Sequence, residues 1–264
     1  MDIAKLFSLE GRTALVTGGS RGIGKMIVQG LLAAGCRKVY ISARKEDQIA
    51  AAVEELGEKV VGIPMDIATV EGCKGLAAAI AEHEEKLDIL VNNAGAAWGE
   101  DYLSFPEKGW DRAMDLNVKS PFFLTQALHQ LLENAASPEQ PAKVINIGSI
   151  DGMRLNPWET YSYHASKAAI LWLTKRMAAR LIQDNIIATA IAPGAFASDM
   201  NTAARDAGDA VAQSIPAKRI GEAEDMAAAA IYLASRAGDY VIGETLTVDG
   251  GLVHADARAS IAGD

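Results

Sequence analysis

The chain has 264 residues, half of them hydrophobic, and carries a net charge of −9 with a pI near 5.0. That length builds one sizeable core as an undivided α/β domain, residues 1–264. The acidic balance excludes nucleic acid and an anionic membrane surface as partners, because phosphate binding needs clustered Lys and Arg.

Two cysteines, Cys36 and Cys73, are too few for a disulfide framework, and the expectation is two buried free thiols. No Cys/His spacing resembles a metal site. The N-terminal "MDIAKLFSLEGR" has neither the apolar core nor the cleavage site of a secretory signal. The most apolar stretch, "IIATAIAPGAFA" (186–197), is short and broken by Pro193 and Gly194, so it cannot span a bilayer. The expected location is the cytoplasm.

The first predicted strand, "TALVT" (13–17), runs into Gly18, Gly22 and Gly24 and then a helical pattern, "IGKMIVQGLLAAG" (23–35). Glycines let the chain turn tightly, and the helix N-terminus then offers aligned N–H donors to a phosphate. The spacing is G-x3-G-x-G, not the commoner G-x-G-x-x-G. Its strand–turn–helix setting in the first βα unit predicts a dinucleotide site.

The second strand, "KVYIS" (38–42), ends in "ISARKED". In dinucleotide folds an acid at this place binds the ribose 2′-hydroxyl, and a base accommodates a 2′-phosphate. Arg44 stands here and Arg21 faces the same region from the glycine turn. Glu46 and Asp47 come later and start the next helix. The reading is NADP(H) rather than NAD(H).

A third strand, "KVVGIP" (59–64), leads to Asp66, which either accepts from the adenine amino group or caps the helix starting near Thr69. A helical pattern (70–86) and a fourth strand, "DILVNN" (88–93), follow. "NNAG" (92–95) lets Gly95 and its backbone approach the nicotinamide-side ribose. Helical periodicity then covers 107–132, and a polar loop, "ENAASPEQPAK" (133–143), precedes the fifth strand, "KVINIGS" (143–149).

Ser149 therefore sits at the carboxyl end of that strand, the edge where open α/β sheets bind ligands. Tyr163 opens the helical pattern 161–182, and Lys167 lies one turn later on the same face. A phenol titrating near 10 is a poor acid–base group at neutral pH. A neighbouring ammonium favours the phenolate, and the expectation is that Lys167 lowers the Tyr163 pKa toward the working range. Tyr161 has alanine four places on, so it is read as a wall of the pocket instead. His164 is read as structural. Trp98, Trp158 and Met153 either line a substrate pocket or belong to the core, while Phe196 and Met200 lean toward the pocket.

The sixth strand, "IIATAIAP" (186–193), passes into a long, small-residue-rich segment that predicts a lid over about 195–216. "TLTV" (245–248) is the seventh strand. Strands alternating with helices mean a parallel, doubly wound, Rossmann-like sheet with helices on both faces.

Taken together, Thr17-Gly18-xxx-Gly22-x-Gly24, "NNAG", Asn117 in "LNVKS", Ser149, Tyr163-xxx-Lys167 and Pro193-Gly194 resemble the short-chain dehydrogenase/reductase family in order and spacing, over residues 8–252. Within it the chain is most similar to NADP-dependent 3-oxoacyl reductases. The rhamnolipid-associated branch shares the Trp98-Gly99 pair and the longer loop before "VINIGS". The resemblance implies seven strands, a homotetramer, and catalysis by Asn117, Ser149, Tyr163 and Lys167, with the Asn117 backbone holding a relay water. It also implies cofactor contacts at Gly18, Ser20, Arg21, Gly22, Ile23, Gly24, Arg44, Asp66, Ile67, Asn93, Ala94, Gly95, Tyr163, Lys167, Pro193 and Gly194.

The implied activity is NADPH-dependent reduction of a ketone, foremost a 3-oxoacyl thioester. An alcohol or polyol dehydrogenase on the same scaffold is the alternative, and a catalytically silent dinucleotide-binding regulator is the reading from another class. Carrier-protein-dependent members often place arginine just before the sixth strand. This chain has Asp184 there, which weakens docking to an acidic acyl carrier protein.

Overall fold

The computed structural model describes residues 1–255. Seven strands form one sheet: β1 (Thr13–Thr17), β2 (Lys38–Ala43), β3 (Val60–Pro64), β4 (Ile89–Asn92), β5 (Ala142–Ile147), β6 (Ile186–Pro193) and β7 (Thr245–Val248). Their order is β3-β2-β1-β4-β5-β6-β7, and every pairing is parallel. The chain winds outward from β1 to β3, then returns to the other side of β1 with β4. The order reverses there, which opens a crevice at the carboxyl ends of β1 and β4.

Eleven α-helices cover the faces among the described residues: α1 (Ile3–Phe7), α2 (Gly22–Ala33), α3 (Glu46–Leu56), α4 (Val70–Ala81), α5 (Glu107–Met114), α6 (Ser120–Ala127), α7 (His129–Ala135), α8 (Tyr161–Leu181), α9 (Thr202–Asp206), α10 (Gly208–Ser214) and α11 (Ala223–Ala234). Successive strand residues point to opposite faces, so β1 supplies Val16 to one core and Leu15 to the other. On the first face Ile27, Val28 and Leu31 of α2 meet Met226 and Leu233 of α11. Gly30 permits this approach, since a Cβ there would stand 2.6 Å from the Ala227 Cβ. On the second face Leu76, Leu124, Leu128, Met177 and Leu181 close over Leu15, Leu90 and Val144.

The helical stretch expected over 107–132 is not one regular helix. α5 passes into a π-helical turn, Asp115–Lys119, before α6. Pro121 has no N–H to give the carbonyl of Asn117 four residues back, and its ring would crowd that carbonyl in a regular α-helix. A widened turn relieves the clash, and such turns cluster at functional sites. The helix expected over 70–86 ends at Ala81. In the polar remainder, Glu84 accepts from Arg37 at 2.5 Å and from Tyr40 at 3.0 Å. β5 ends at Ile147, so Ser149 lies just beyond the strand in extended backbone, with φ −166°.

Buried charges gather at the amino edge of the sheet. Lys143 pairs with Asp239 at 2.6 Å, and Asp88 receives the Thr13 N–H at 2.9 Å beside Arg12. The opposite edge is left to uncharged groups and the site. Cys36 and Cys73 are both buried free thiols, and burial pushes the Cys36 thiol up to about 12.

Candidate active site

The glycine turn is built by close packing. Gly18 has φ +65°, a left-handed conformation that glycine adopts without penalty. A Cβ on Gly24 would stand 2.2 Å from the Gly18 carbonyl oxygen and 2.5 Å from Asn93 Nδ2, so only glycine starts α2 this close to β1. Asn93 Nδ2 donates to the carbonyls of Thr17 (2.8 Å) and Gly18 (3.2 Å). Thr17 Oγ1 returns the tie by accepting the N–H groups of Asn93 and Ala94, each at 3.0 Å. Asn93, Ala94 and Gly95 are thereby locked against Gly18, on either side of the crevice.

A dinucleotide fits this arrangement. The turn delivers the N-terminus of α2, whose first N–H groups suit a diphosphate, to the crevice beside β1. The Ser42 hydroxyl at the end of β2 is buried without a hydrogen-bond partner, at the place where an adenosine ribose lies in such folds. Arg44, two residues on, is exposed and makes no hydrogen bond or ion pair among the described residues. Ser20, Ile23 and Arg21 stand in the turn itself. Arg21 does not point freely at the crevice: it forms an ion pair with Asp199 from the segment after β6. Arg21, Gly22, Lys25, Ser198 and Asp199 border a cleft of about 310 Å³.

Asp66 is exposed, and its Oδ1 accepts from the Ala68 N–H at 3.1 Å. The helix cap proper is Thr69, whose hydroxyl accepts from Gly72 N at 3.0 Å. Ile67 is buried beneath. Pro193 ends β6, and Gly194 packs on the backbone of Asp249.

Ser149, Tyr163, Lys167 and Asn117 converge at the carboxyl edge. Ser149, Lys167 and Asn117 are 7%, 4% and 2% exposed, and Tyr163 is half-buried. Lys167 Nζ donates to the Ile147 carbonyl at 2.8 Å and stands 5.5 Å from the centre of the Tyr163 ring. Gly95 keeps the end of β4 open beside it, since a Cβ would lie 3.1 Å from Asn117 Oδ1 and 3.7 Å from Lys167 Nζ. The Asn117 side chain spans the gap. Its Oδ1 accepts the Ala96 N–H at 2.8 Å, and its Nδ2 donates to the Ala96 carbonyl at 2.8 Å and to Ser166 Oγ at 2.9 Å.

Electrostatics depart from the expectation that Lys167 lowers the Tyr163 pKa. Burial pushes the phenol up to about 12; the Ser149 hydroxyl opposes this and Asp151 adds to it. Burial likewise brings the Lys167 ammonium down to about 8, with Asp151 opposing. The reason is geometric. One N–H of the ammonium donates to the Ile147 carbonyl and none donates to the protonated phenol oxygen, so loss of solvation decides. The site holds a protonated phenol above a buried ammonium, the state that suits proton donation.

Several supporting residues escaped the sequence reading. Ser166 accepts from Asn117 and donates to the Tyr163 carbonyl at 2.8 Å. Asn92 Nδ2 donates to Asn146 Oδ1 at 2.9 Å, and Asn146 Nδ2 donates to Thr174 Oγ1 at 2.9 Å, a buried ladder joining β4, β5 and α8. Asn92 and Asn146 stand inside "NNAG" and "VINIGS" with no role of their own read there, whereas Ser166 and Thr174 belong to no motif and only their burial marks them.

Other expectations are redistributed. Tyr161 turns outward and donates to Glu159 at 2.7 Å, its ring met edge-on by Tyr102 and Phe105. His164 Nδ1 lies 3.0 Å from the Thr160 hydroxyl. Trp98 wedges over Gly109 of α5. Phe196 is core, 2% exposed, against Gly221. Met153, Leu155, Trp158 and Met200 remain exposed. The expected lid contains two short helices, α9 and α10.

A family model described as enoyl-(acyl carrier protein) reductase matches residues 18–253. The rhamnolipids biosynthesis 3-oxoacyl-(acyl-carrier-protein) reductase of Pseudomonas aeruginosa is 47% identical over 93% of this chain and 97% of its own length. A 2-dehydro-3-deoxy-D-gluconate 5-dehydrogenase of Escherichia coli is 37% identical over 94% of this chain and 98% of its own. Among solved structures, a Pseudomonas aeruginosa RhlG/NADP active-site complex superposes with a TM-score of 0.90 at 45% identity, covering 94% of this chain and 98% of that one.

Proposed function

The chain belongs to the short-chain dehydrogenase/reductase family, and on that premise we propose that it reduces the ketone of a 3-oxoacyl thioester at the Ser149–Tyr163–Lys167 site. It is an NADP-dependent oxidoreductase. The observation that carries the substrate reading is a protonated, half-buried Tyr163 beside Ser149 at the sheet edge, with Met153, Leu155, Trp158 and Met200 left exposed on the segments that follow β5 and β6.

NADPH, when bound, supplies a hydride to the carbonyl carbon. Gly18, Ser20, Gly22, Ile23 and Gly24 hold its diphosphate at the start of α2, and Arg21, Ser42 and Arg44 receive the 2′-phosphate. Asp66 and Ile67 flank the adenine. Asn93, Ala94, Gly95, Pro193 and Gly194 shape the nicotinamide end. Ser149 donates a hydrogen bond to the carbonyl oxygen, and Tyr163 gives that oxygen its proton. Lys167 steadies the phenolate left behind and binds the nicotinamide ribose. The Asn117 carbonyl, deprived of its α-helical partner by Pro121, holds a water that returns a proton through Lys167. This arrangement aims preorganised donors at a developing negative charge.

Exposed apolar side chains on these two segments favour an acyl chain, since buried apolar area contributes about 25 cal/mol per Å². A polyol would need many convergent polar groups there. The dehydrogenase of a sugar acid among the relatives keeps the alternative concrete: oxidation of a polyhydroxylated substrate with NADP⁺. Asp184, 18% exposed, is held by Arg180 and by His129 at 3.0 Å, so the Arg180 charge is neutralised locally. A coenzyme A thioester therefore serves at least as well as a carrier-protein one. Residues 195–216 act as the lid. Trp110, Phe122 and Trp172 present exposed apolar surface on α5, α6 and α8, which fits a homotetramer; Phe123 and Leu171 face the core instead. No described helix is long and apolar enough to cross a membrane, and a cytoplasmic location is part of the proposal.

The test is turnover of NADPH with 3-oxoacyl coenzyme A thioesters, compared with polyols and NADP⁺, in the unmutated protein and in Tyr163→Phe. Light scattering at micromolar concentration tests the tetramer.

A further inference from the structure

Four buried side chains behind the acid–base pair form one chain of hydrogen bonds. Asn92 of β4 and Asn146 of β5 are register partners, and Asn92 Nδ2 donates to Asn146 Oδ1 at 2.9 Å. Asn92 Nδ2 also donates to Thr125 Oγ1 of α6 at 3.2 Å, and Asn146 Nδ2 donates to Thr174 Oγ1 of α8 at 2.9 Å. Both hydroxyl protons are committed to helix carbonyls: Thr125 donates to Pro121 at 2.7 Å and Thr174 to Ile170 at 2.8 Å. All four residues are 4% exposed or less. Each hydroxyl can therefore only accept from the ladder. Asn146 must turn its NH₂ to Thr174 and its oxygen to Asn92, and α8 fits that arrangement at one position.

The same stretch of β5 holds the lysine. Ile147, next after Asn146, accepts from Lys167 Nζ at 2.8 Å. Lys167 and Thr174 lie two turns apart on one face of α8. A Cβ on Gly148 would stand 2.5 Å from Leu171 Cδ2, and one on Gly152 would stand 2.5 Å from the Lys167 carbonyl carbon. These glycines set how near α8 comes. Apolar packing is non-directional and does little to fix a helix along its own axis, whereas a fully satisfied buried polar network specifies one arrangement. A threonine bonded back to the carbonyl four residues earlier slightly destabilises a helix, so the contribution of Thr174 lies in the bond from Asn146.

We propose that Thr174 is a positioning residue for the acid–base pair: by accepting from Asn146 it fixes α8 along β5, which sets Lys167 against the Ile147 carbonyl and Tyr163 at the sheet edge. This rests on the reading of Tyr163 and Lys167 as that pair. Removing the Thr174 hydroxyl leaves an Asn146 N–H without its acceptor in the core, a costly state that a shift of α8 relieves. Tyr163 and Lys167 move with the helix. Thr125, at the other end of the ladder, has the same chemistry and burial, on a helix that carries none of the four catalytic side chains.

The test sets Thr174→Val and Thr174→Ser beside Thr125→Val, with Thr174→Ala as a second hydroxyl-free variant should the valine one fail to fold. Urea midpoints compare their stabilities. NMR of ¹³C-labelled lysine, with Lys167 assigned by its loss in Lys167→Arg, reads the lysine's surroundings in the cofactor-free protein without any turnover. Thr174→Val should displace the Lys167 resonance and lower kcat for thioester reduction by roughly ten- to a hundredfold, since a displacement of about 1 Å from a remote change can cost about 10²-fold. Thr174→Ser should keep both the resonance and the rate. Thr125→Val, at a comparable loss of urea midpoint, should keep them too. An unmoved Lys167 resonance in Thr174→Val overturns the proposal. So does a serine variant as impaired as the valine one, and so does a Thr125→Val variant that loses as much rate, which leaves the ladder a purely stabilising device. A Lys167 resonance that moves in a protein showing no reduction of any thioester supports the positioning and removes the proposed reaction.

Discussion

Arg21 of the glycine turn and Asp199 of the segment after β6 form an ion pair across 178 residues of sequence. Asp199 also accepts from Arg205 at 3.0 Å. The two arginines, Arg21 first, hold the Asp199 carboxyl below the usual range. The pair joins the floor of the proposed cofactor site to its proposed lid. It also occupies one of the two cations, Arg21 and Arg44, proposed to receive the 2′-phosphate.

Asp199→Asn should therefore free Arg21 and tighten NADPH by roughly two- to fivefold, the range expected of an exposed ion pair. NADH, lacking the phosphate, should be unaffected. Fluorescence titration of both cofactors checks this. Equal tightening of NADH would assign the effect to lid movement instead of charge release.

Arg44→Asp should erase or reverse the preference for NADPH over NADH. Charge-assisted hydrogen bonds to the 2′-phosphate set that preference at roughly ten- to a hundredfold. Dissociation constants for the two cofactors, measured at one fixed ionic strength, give the ratio directly.

Tyr163→Phe should lower turnover by about 10²–10⁴-fold, the usual contribution of general acid–base catalysis, with NADPH binding retained. Tyr161→Phe should be mild, because that phenol is occupied by Glu159 at 2.7 Å. Stopped-flow kinetics on both variants separates the two tyrosines. Equal losses would contradict the assignment.

Much of this was legible in the sequence, and the reasons are local. Each strand reads as a short β-branched run because helices cover both faces. The places of Gly18 and Gly24 at the first strand–helix turn, of Ser149 at the end of the fifth strand and of Tyr163 one turn before Lys167 were readable from the element order and spacing together. The phenol's charge state did not. Sequence shows that Lys167 is one turn from Tyr163, but not that its ammonium donates to the Ile147 carbonyl 2.8 Å away. Phe196 looked like a lid residue because it follows a strand, yet Gly221 leaves a slot that draws it into the core. Thr174 carries no motif. Its bond from Asn146 depends on α8 lying against β5, a contact between segments that only the fold brings together.

Asp225 illustrates stability that sequence only hints at. It completes a capping box with Glu222 at the start of α11 and is bonded by Arg219 at 2.5 and 2.9 Å. The Arg219 guanidinium holds its carboxyl down at about 2. A depressed folded pKa gives stability that is present above the unfolded value near 4 and is lost as pH falls through 2. Asp225→Asn should cost about 1–2 kcal/mol at pH 7, and the difference from the unmutated protein should vanish below pH 2. Urea unfolding at several pH values checks both parts.

The most direct test of the whole account is the rate of NADPH oxidation with a 3-oxoacyl coenzyme A thioester, set beside the rate of NADP⁺ reduction with sugar acids and polyols. The account predicts that kcat/KM for the thioester exceeds that for every polyol, and that Tyr163→Phe lowers it by about 10²–10⁴-fold while leaving NADPH affinity intact. Faster oxidation of a sugar acid, with the thioester untouched, would contradict it.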